Sequence, residues 1–158
     1  DSDLARWVHV VFAESFLSAH QHYNGSIPGG ADRYLQEWSI AGDLMGVGRP
    51  PRSERELREQ LAEFRRELVS DNRVAEAIKF IRTPPLHPAV MPGYRILFAG
   101  AVATLDPEVR ALLGLRRPWW PAKTATKIVL AGLAVLLGRP SSSEVHALQR
   151  IAKLGGTA

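Results

Sequence analysis

The residues best able to do chemistry in this 158-residue chain lie near its beginning. His9 sits in an apolar segment, with Phe12, Ala13 and Phe16 three, four and seven positions further on. On a helix these four share a face. A flat hydrophobic cofactor could lie on that face, with Ala13 leaving room beside the imidazole and His9 reaching a metal. The competing reading is a core histidine hydrogen-bonded to a neighbouring carbonyl, and the residues alone favour it. Glu14 belongs to the same segment, where a carboxylate without a partner is costly. It either handles a proton with a raised pKa or forms a salt bridge to an arginine, the second being the commoner outcome.

The other histidines carry less. His20 and His22 are too close in sequence to share a metal from one helical face, and with His9 they make no recognised ligand spacing. They read as solvent-exposed turn residues. His87, flanked by prolines, is expected on a surface loop, and His146 is expected exposed in the first turn of the last helix. Phosphate loops, dinucleotide fingerprints, nucleophile elbows and zinc-protease motifs are absent. The chain has no cysteine, which excludes disulfides, thiolate metal sites and cysteine nucleophiles.

With 46% hydrophobic and 23% charged residues, the composition is that of a globular domain and not of a disordered or collagen-like chain. Charge is unevenly divided. Residues 1–79 hold 10 Lys+Arg against 13 Asp+Glu, and residues 80–158 hold 10 against 3. The basic residues of the second half form no compact run, so nucleic-acid binding is not expected. The longest uncharged apolar runs, Ile128 to Gly138 and Ile96 to Leu105, fall far short of the roughly 20 residues of a spanning helix. Both are expected as buried core helices. Trp119-Trp120 beside Arg116-Arg117 reads as filling a helix-packing groove, with a membrane interface as the alternative. With no leader at Asp1, the expected location is cytoplasmic, with peripheral membrane contact as a variant.

These residues must be positioned by helices. A first helix over 2–20 is apolar nearly all round, as in an element buried on most faces, and ends near Tyr23-Asn24-Gly25. A second runs from about Ala31 to Leu44, with Leu35, Trp38, Gly42 and Met45 on one face and Gly46 as stop. Ser53 and Glu56 form a capping box for a third, whose stripe is Leu57, Leu61, Phe64 and Leu68 and whose polar face includes a Glu54–Arg58 pair. A fourth starts at Asn72 with Val74, Ile78 and Ile81 inward. After the rigid Thr83–Pro88 connector comes a helix from Pro92 to Ala103, whose Gly100 permits close helix approach. Asp106-Pro107 starts the next, which stops at Gly114. Arg116–Pro121 connects to a helix over 123–137. Gly138-Arg139-Pro140 interrupts, and a Ser141/Glu144 capping box opens a final helix that frays at Gly155-Gly156. No alternating stretch is long enough for a strand. The expected fold is all-α, a compact bundle of about seven or eight helices. It forms a single domain over 1–158, with a terminal helix and frayed tail over 139–158.

Trp7-Val8-His9, Glu14, Tyr23, Asp32-Arg33-Tyr34, Glu37-Trp38, Gly46 and the following proline form an ordered set. With Leu105–Arg110, Leu113-Gly114-Leu115 and Trp119, it resembles the second half of the catalytic domain shared by bacterial rubber oxygenases (latex-clearing proteins) and fungal MpaB-type oxygenases. The likeness spans roughly residues 2–120. It implies an all-α domain that holds a haem b and uses dioxygen to cleave carbon–carbon double bonds in apolar, isoprenoid-like substrates. The family's arginine–threonine pair and His-x-x-Val-x-Gly segment would lie upstream of Trp7, and the resemblance puts the proximal haem ligand in that segment. His9 would then line the haem pocket or act on its distal side, with Phe12, Ala13 and Phe16 beside the cofactor. Part of such a domain would expose the apolar faces of helices like 2–20, so it is expected to pack against a separate N-terminal half or a second copy, or to rearrange its core. The alternative function is a non-catalytic helical interaction module or partner subunit.

Overall fold

The computed structural model describes residues 2–137 and 142–155, and all regular elements among them are helices. In chain order they are α1 (Ser2–Tyr23), α2 (Gly30–Leu44), α3 (Glu54–Arg65), α4 (Asn72–Arg82), α5 (Met91–Thr104), α6 (Pro107–Leu112), α7 (Ala122–Leu137) and α8 (Ser142–Gly155). The all-α bundle is as expected. The expected Gly138–Pro140 break, the Ser141/Glu144 cap and the fraying at Gly156 lie outside the described residues.

α1 is the hub, packing against α2, α3, α5 and α7. Its Val10, Ala13 and Leu17 join Leu35 of α2 and Leu57 and Phe64 of α3 in one buried cluster, with Trp7, Trp38 and Leu61 packed around it. The spacing 10, 13, 17 is the i, i+3, i+7 seam of a helix that buries one stripe. That seam, and not the whole circumference, is what α1 buries. Leu4, Val8, Phe12 and Phe16 follow at four-residue steps on the outside and stay exposed. The expectation of a helix buried on most faces is corrected accordingly. A composition apolar all round does not say which faces find partners. The chain exposes 11608 Å², against roughly 7,900 Å² for a compact monomer of this mass.

Local signals placed the helix ends well. Gly25, Gly46 and Gly114 all adopt positive φ where α1, α2 and α6 stop. Asp106 accepts the Glu108 amide at 2.9 Å, with Pro107 in the first turn. Ser53 accepts from the Glu56 amide, but the reciprocal half of the expected box is missing. The Glu56 carboxylate takes the Arg52 amide at 2.8 Å instead. The start of α3 gains a further cap from a distance, since Asp32 Oδ1 accepts the Glu54 amide at 2.8 Å. α1 runs on to Tyr23, so His20 and His22 lie in its last turn, half-buried, and are not exposed turn residues. His22 Nδ1 lies 2.8 Å from the Ser18 carbonyl. Met45 and Ile81, expected inward, are exposed.

α5 and α7 make the closest helix pair. Thr126 is buried and donates to the Ala122 carbonyl at 2.8 Å, with the Ile96 carbonyl of α5 at 3.1 Å. The absence of a side chain at Gly100 makes this approach possible. Tyr23 at the end of α1 donates to the Gly100 carbonyl at 2.8 Å and ties the hub to this pair. The expectation that both apolar runs are buried fails for α7. Ile128, Val135, Leu136 and Leu137 are exposed, because α5 and α1 cover only its first turns and one side. Trp119 and Trp120 are exposed too, Trp120 at 96%, so they fill no groove.

Candidate functional site

The seam between the α1/α3 pair and the α5/α6/α7 group does not close. It leaves a cavity of about 900 Å³, walled mainly by aliphatic side chains such as Leu57, Leu61, Leu97, Val109, Leu112 and Leu130. That size and lining suit a drug-sized apolar molecule. The helix periodicity of α1 explains the wall. Val11, Glu14 and Ser18 follow at i, i+3 and i+7, on the flank of the buried seam that faces the cavity.

Glu14 is half-buried in this wall and makes no hydrogen bond or ion pair among the described residues. The commoner expectation for it, a salt bridge, is therefore not realised. Burial pushes its carboxyl above the usual range. Glu54 and Asp106 push the same way, while Arg58 and Arg65 pull back. Both arginines are already engaged. Arg58 holds Glu54, and Arg65 holds Asp106 at 2.8 Å and Glu108 at 2.9 Å. The cavity thus presents one carboxyl with a raised pKa and no ion-pair partner among the described residues, within a rim of neutralised charge.

A stability consequence follows from that carboxyl. A folded-state pKa above the ordinary 4.5 means the native state binds more protons than the unfolded one between those values. Stability attached to Glu14 is complete below 4.5 and is lost as pH rises through the folded value. Glu14→Gln is therefore expected to stabilise the protein at pH 8 relative to wild type and to bring little at pH 4. Urea unfolding at both pH values checks this. A gain of equal size at both would show that Glu14 carries no shifted proton.

His9 lies elsewhere. It is 2% exposed, stacked on Trp38 of α2 with ring centroids 5.5 Å apart, and outside the cavity wall. Its Nε2 is buried with no hydrogen-bond partner, so the expected bond to a carbonyl is not formed. Burial lowers its pKa, and Asp43 partly opposes this. The ring edge packs onto Gly42, where an added Cβ would stand 2.8 Å from both Cε1 and Nε2. No metal with its other ligands can enter between them while α1 and α2 stay packed. Ala13 is fully buried in the core, and Phe12 and Phe16 are 52% and 53% exposed, so the four residues of the proposed face are not brought into one pocket. Phe16 does meet Trp38 edge-on at 5.6 Å, leaving an aromatic strip of Phe12, Phe16 and Trp38 along the outer side of α1.

A haem is the cofactor implied by the sequence resemblance, and the described residues do not fit its axial ligand set. No histidine lines the cavity, His9 Nε2 is enclosed, and no group of three His, Asp or Glu side chains converges as a metal site among the described residues. No described helix is long and apolar enough to cross a membrane.

The polar residues of the ordered sequence set are largely structural. Asp32 caps α3, Arg33 pairs with Glu37 at 3.0 Å, and the indole of Trp38 donates to the His9 carbonyl at 3.4 Å. The cavity itself was missed by sequence reasoning. Its walls come from six helices spread from Trp7 to Leu130, and only the oddness of Glu14 in an apolar helix pointed to it.

Comparison with protein families gives one match. Residues 1–139 match the family described as ER-bound oxygenase mpaB/B'/Rubber oxygenase, catalytic domain. No curated protein and no solved structure matches.

Proposed function

This chain belongs to the MpaB/rubber-oxygenase catalytic-domain family, and on that premise we propose that it forms the substrate-holding part of an oxygenase acting on an extended apolar molecule of isoprenoid type. The observation that carries this reading is the 900 Å³ aliphatic cavity with the unpartnered Glu14 in its wall. Leucine and valine side chains from α3, α5 and α6 would sequester an alkene chain from water. The Glu14 side chain would offer a hydrogen-bonding group to an oxygen of the substrate or product. Such a bond inside an apolar cavity is stronger than in water. The oxidising group of the complete catalyst is held by residues other than His9.

The exposed strip of Leu4, Val8, Phe12 and Phe16 supports the second part of the reading, that further helices of the same catalytic domain complete the structure along α1. Large contiguous apolar surfaces of this kind mark interaction sites.

The test is binding of farnesol by calorimetry, in wild type and in Ala101→Trp, which places an indole in the cavity wall without disturbing a buried residue. Saturable binding that weakens at least tenfold in the variant is expected. Equal binding in both proteins, or none in wild type, sinks the assignment of the cavity as the substrate site.

A further inference from the structure

A second cavity, of about 570 Å³, opens where the end of α4, the outer side of α5 and the connector from α6 to α7 meet. Its lining includes three arginines, Arg82, Arg95 and Arg116, beside Phe98, Val102 and Leu115, and among the described residues it contains no acidic one. Three guanidinium groups around one space repel one another unless an anion joins them.

The rest of the molecule handles its arginines differently. Every ion-paired arginine among the described residues lies at or before position 73. Arg82, Arg95 and Arg116 form no ion pair and donate no side-chain hydrogen bond among the described residues. The acids nearest in sequence to Arg95 and Arg116, Asp106 and Glu108, are both taken by Arg65. The charge excess of the second half of the chain is therefore gathered partly at one cavity, where the sequence alone shows only scattered residues.

We propose that this cavity binds a phosphate ester carrying an apolar body, with Arg82, Arg95 and Arg116 around the phosphate and Phe98, Val102 and Leu115 against the apolar part. A single carboxylate would answer one guanidinium. A phosphate offers up to two charges and several acceptor oxygens, which suits forked donors arriving from three elements. The apolar side of the cavity argues against a free inorganic anion as the full ligand. Two sources share this chemistry, a soluble phosphorylated compound and a lipid headgroup. Trp120, 96% exposed and four residues past Arg116, is placed to contact a bilayer in the second case.

Pyrophosphate, followed by calorimetry at low salt, probes the soluble source. Co-sedimentation with phosphatidylcholine vesicles, with and without phosphatidic acid, probes the lipid. The variants are Arg95→Gln, Arg116→Gln and Trp120→Ala, with Arg55→Gln as a control on a distant ion-paired arginine. All these side chains are exposed, and circular dichroism verifies that helix content is kept. Removing one charge-assisted contact is expected to weaken binding about tenfold or more. Saturable pyrophosphate binding, weakened in Arg95→Gln and Arg116→Gln but not in Arg55→Gln, supports the site with a soluble ligand. Pelleting only with phosphatidic acid, weakened in the same two variants and in Trp120→Ala, supports it with a lipid. Absence of both, or losses no larger than in Arg55→Gln, overturns the proposal.

Discussion

Gly100→Ala is expected to be among the most damaging single-methyl additions in the protein, costing about 2–3 kcal/mol as an overpacking change. A Cβ at this position would stand 2.2 Å from Thr126 Oγ1, 2.7 Å from its Cγ2 and 2.9 Å from its Cβ. Thr126 cannot swing aside, because it is buried and its hydroxyl is bonded to the Ala122 carbonyl. The helices α5 and α7 must therefore separate. Separation also strains the Tyr23 hydroxyl bond to the Gly100 carbonyl, which links this pair to α1. Helix propensity opposes the effect, since alanine is favoured over glycine by up to about 1 kcal/mol in a helix interior. The steric effect is the larger of the two. For a chain of this size the net cost of about 1–3 kcal/mol corresponds to a fall of about 2–12 °C in Tm, readable by circular dichroism. Thr126→Ala in the same chain is expected to restore only part of the loss, because its Cβ remains within 3 Å. A Gly100→Ala protein as stable as wild type would mean that α5 and α7 do not pack in this way.

The same region shows what sequence can and cannot carry. Gly100 among alanines was legible as a point of close approach, because only a missing side chain lets two helix backbones come that near. The helix starts at Ser53 and Asp106 and the stops at Gly25, Gly46 and Gly114 were legible for a similar reason. Each is decided by a few neighbouring residues and the geometry they adopt. The cap that Asp32 places on α3 was not legible, since it joins residues 22 apart through a packing arrangement no local rule contains. Glu14 stood out as a carboxylate in an apolar helix. Its lack of a salt bridge depended on Arg58 and Arg65 being claimed by Glu54, Asp106 and Glu108, a competition settled only in three dimensions. The outward faces of α1 and α7 were misread because an apolar residue signals burial only where a partner is present to cover it.

His9 and Gly42 yield the second large effect. Gly42→Ala would set a Cβ 2.7 Å from Pro50 Cβ and 2.8 Å from His9 Cε1 and Nε2, in a site closed on the far face by Trp38. A loss of about 2–3 kcal/mol is expected. His9→Ala is expected to cost a similar amount, about 2–4 kcal/mol, through the cavity left by the imidazole. The double variant should cost less than the sum, since the new methyl then occupies space vacated by the ring. Such coupling between neighbours is the signature of direct contact. Acid gives an independent check. The folded His9 pKa lies below its ordinary 6.5, so the stability it contributes is present above 6.5 and is lost as pH falls through the folded value. His9→Leu should remove that part of the acid sensitivity. The two possible roles of this histidine then separate cleanly in a haemin titration. A packing residue predicts that His9→Ala, where still folded, responds to haemin as wild type does, with no Soret band in either protein or the same band in both. A Soret band present in wild type and shifted or lost in His9→Ala, with helix content unchanged, would mean that α1 and α2 part to let His9 reach iron, and the enclosed imidazole would have to be reassigned as a ligand.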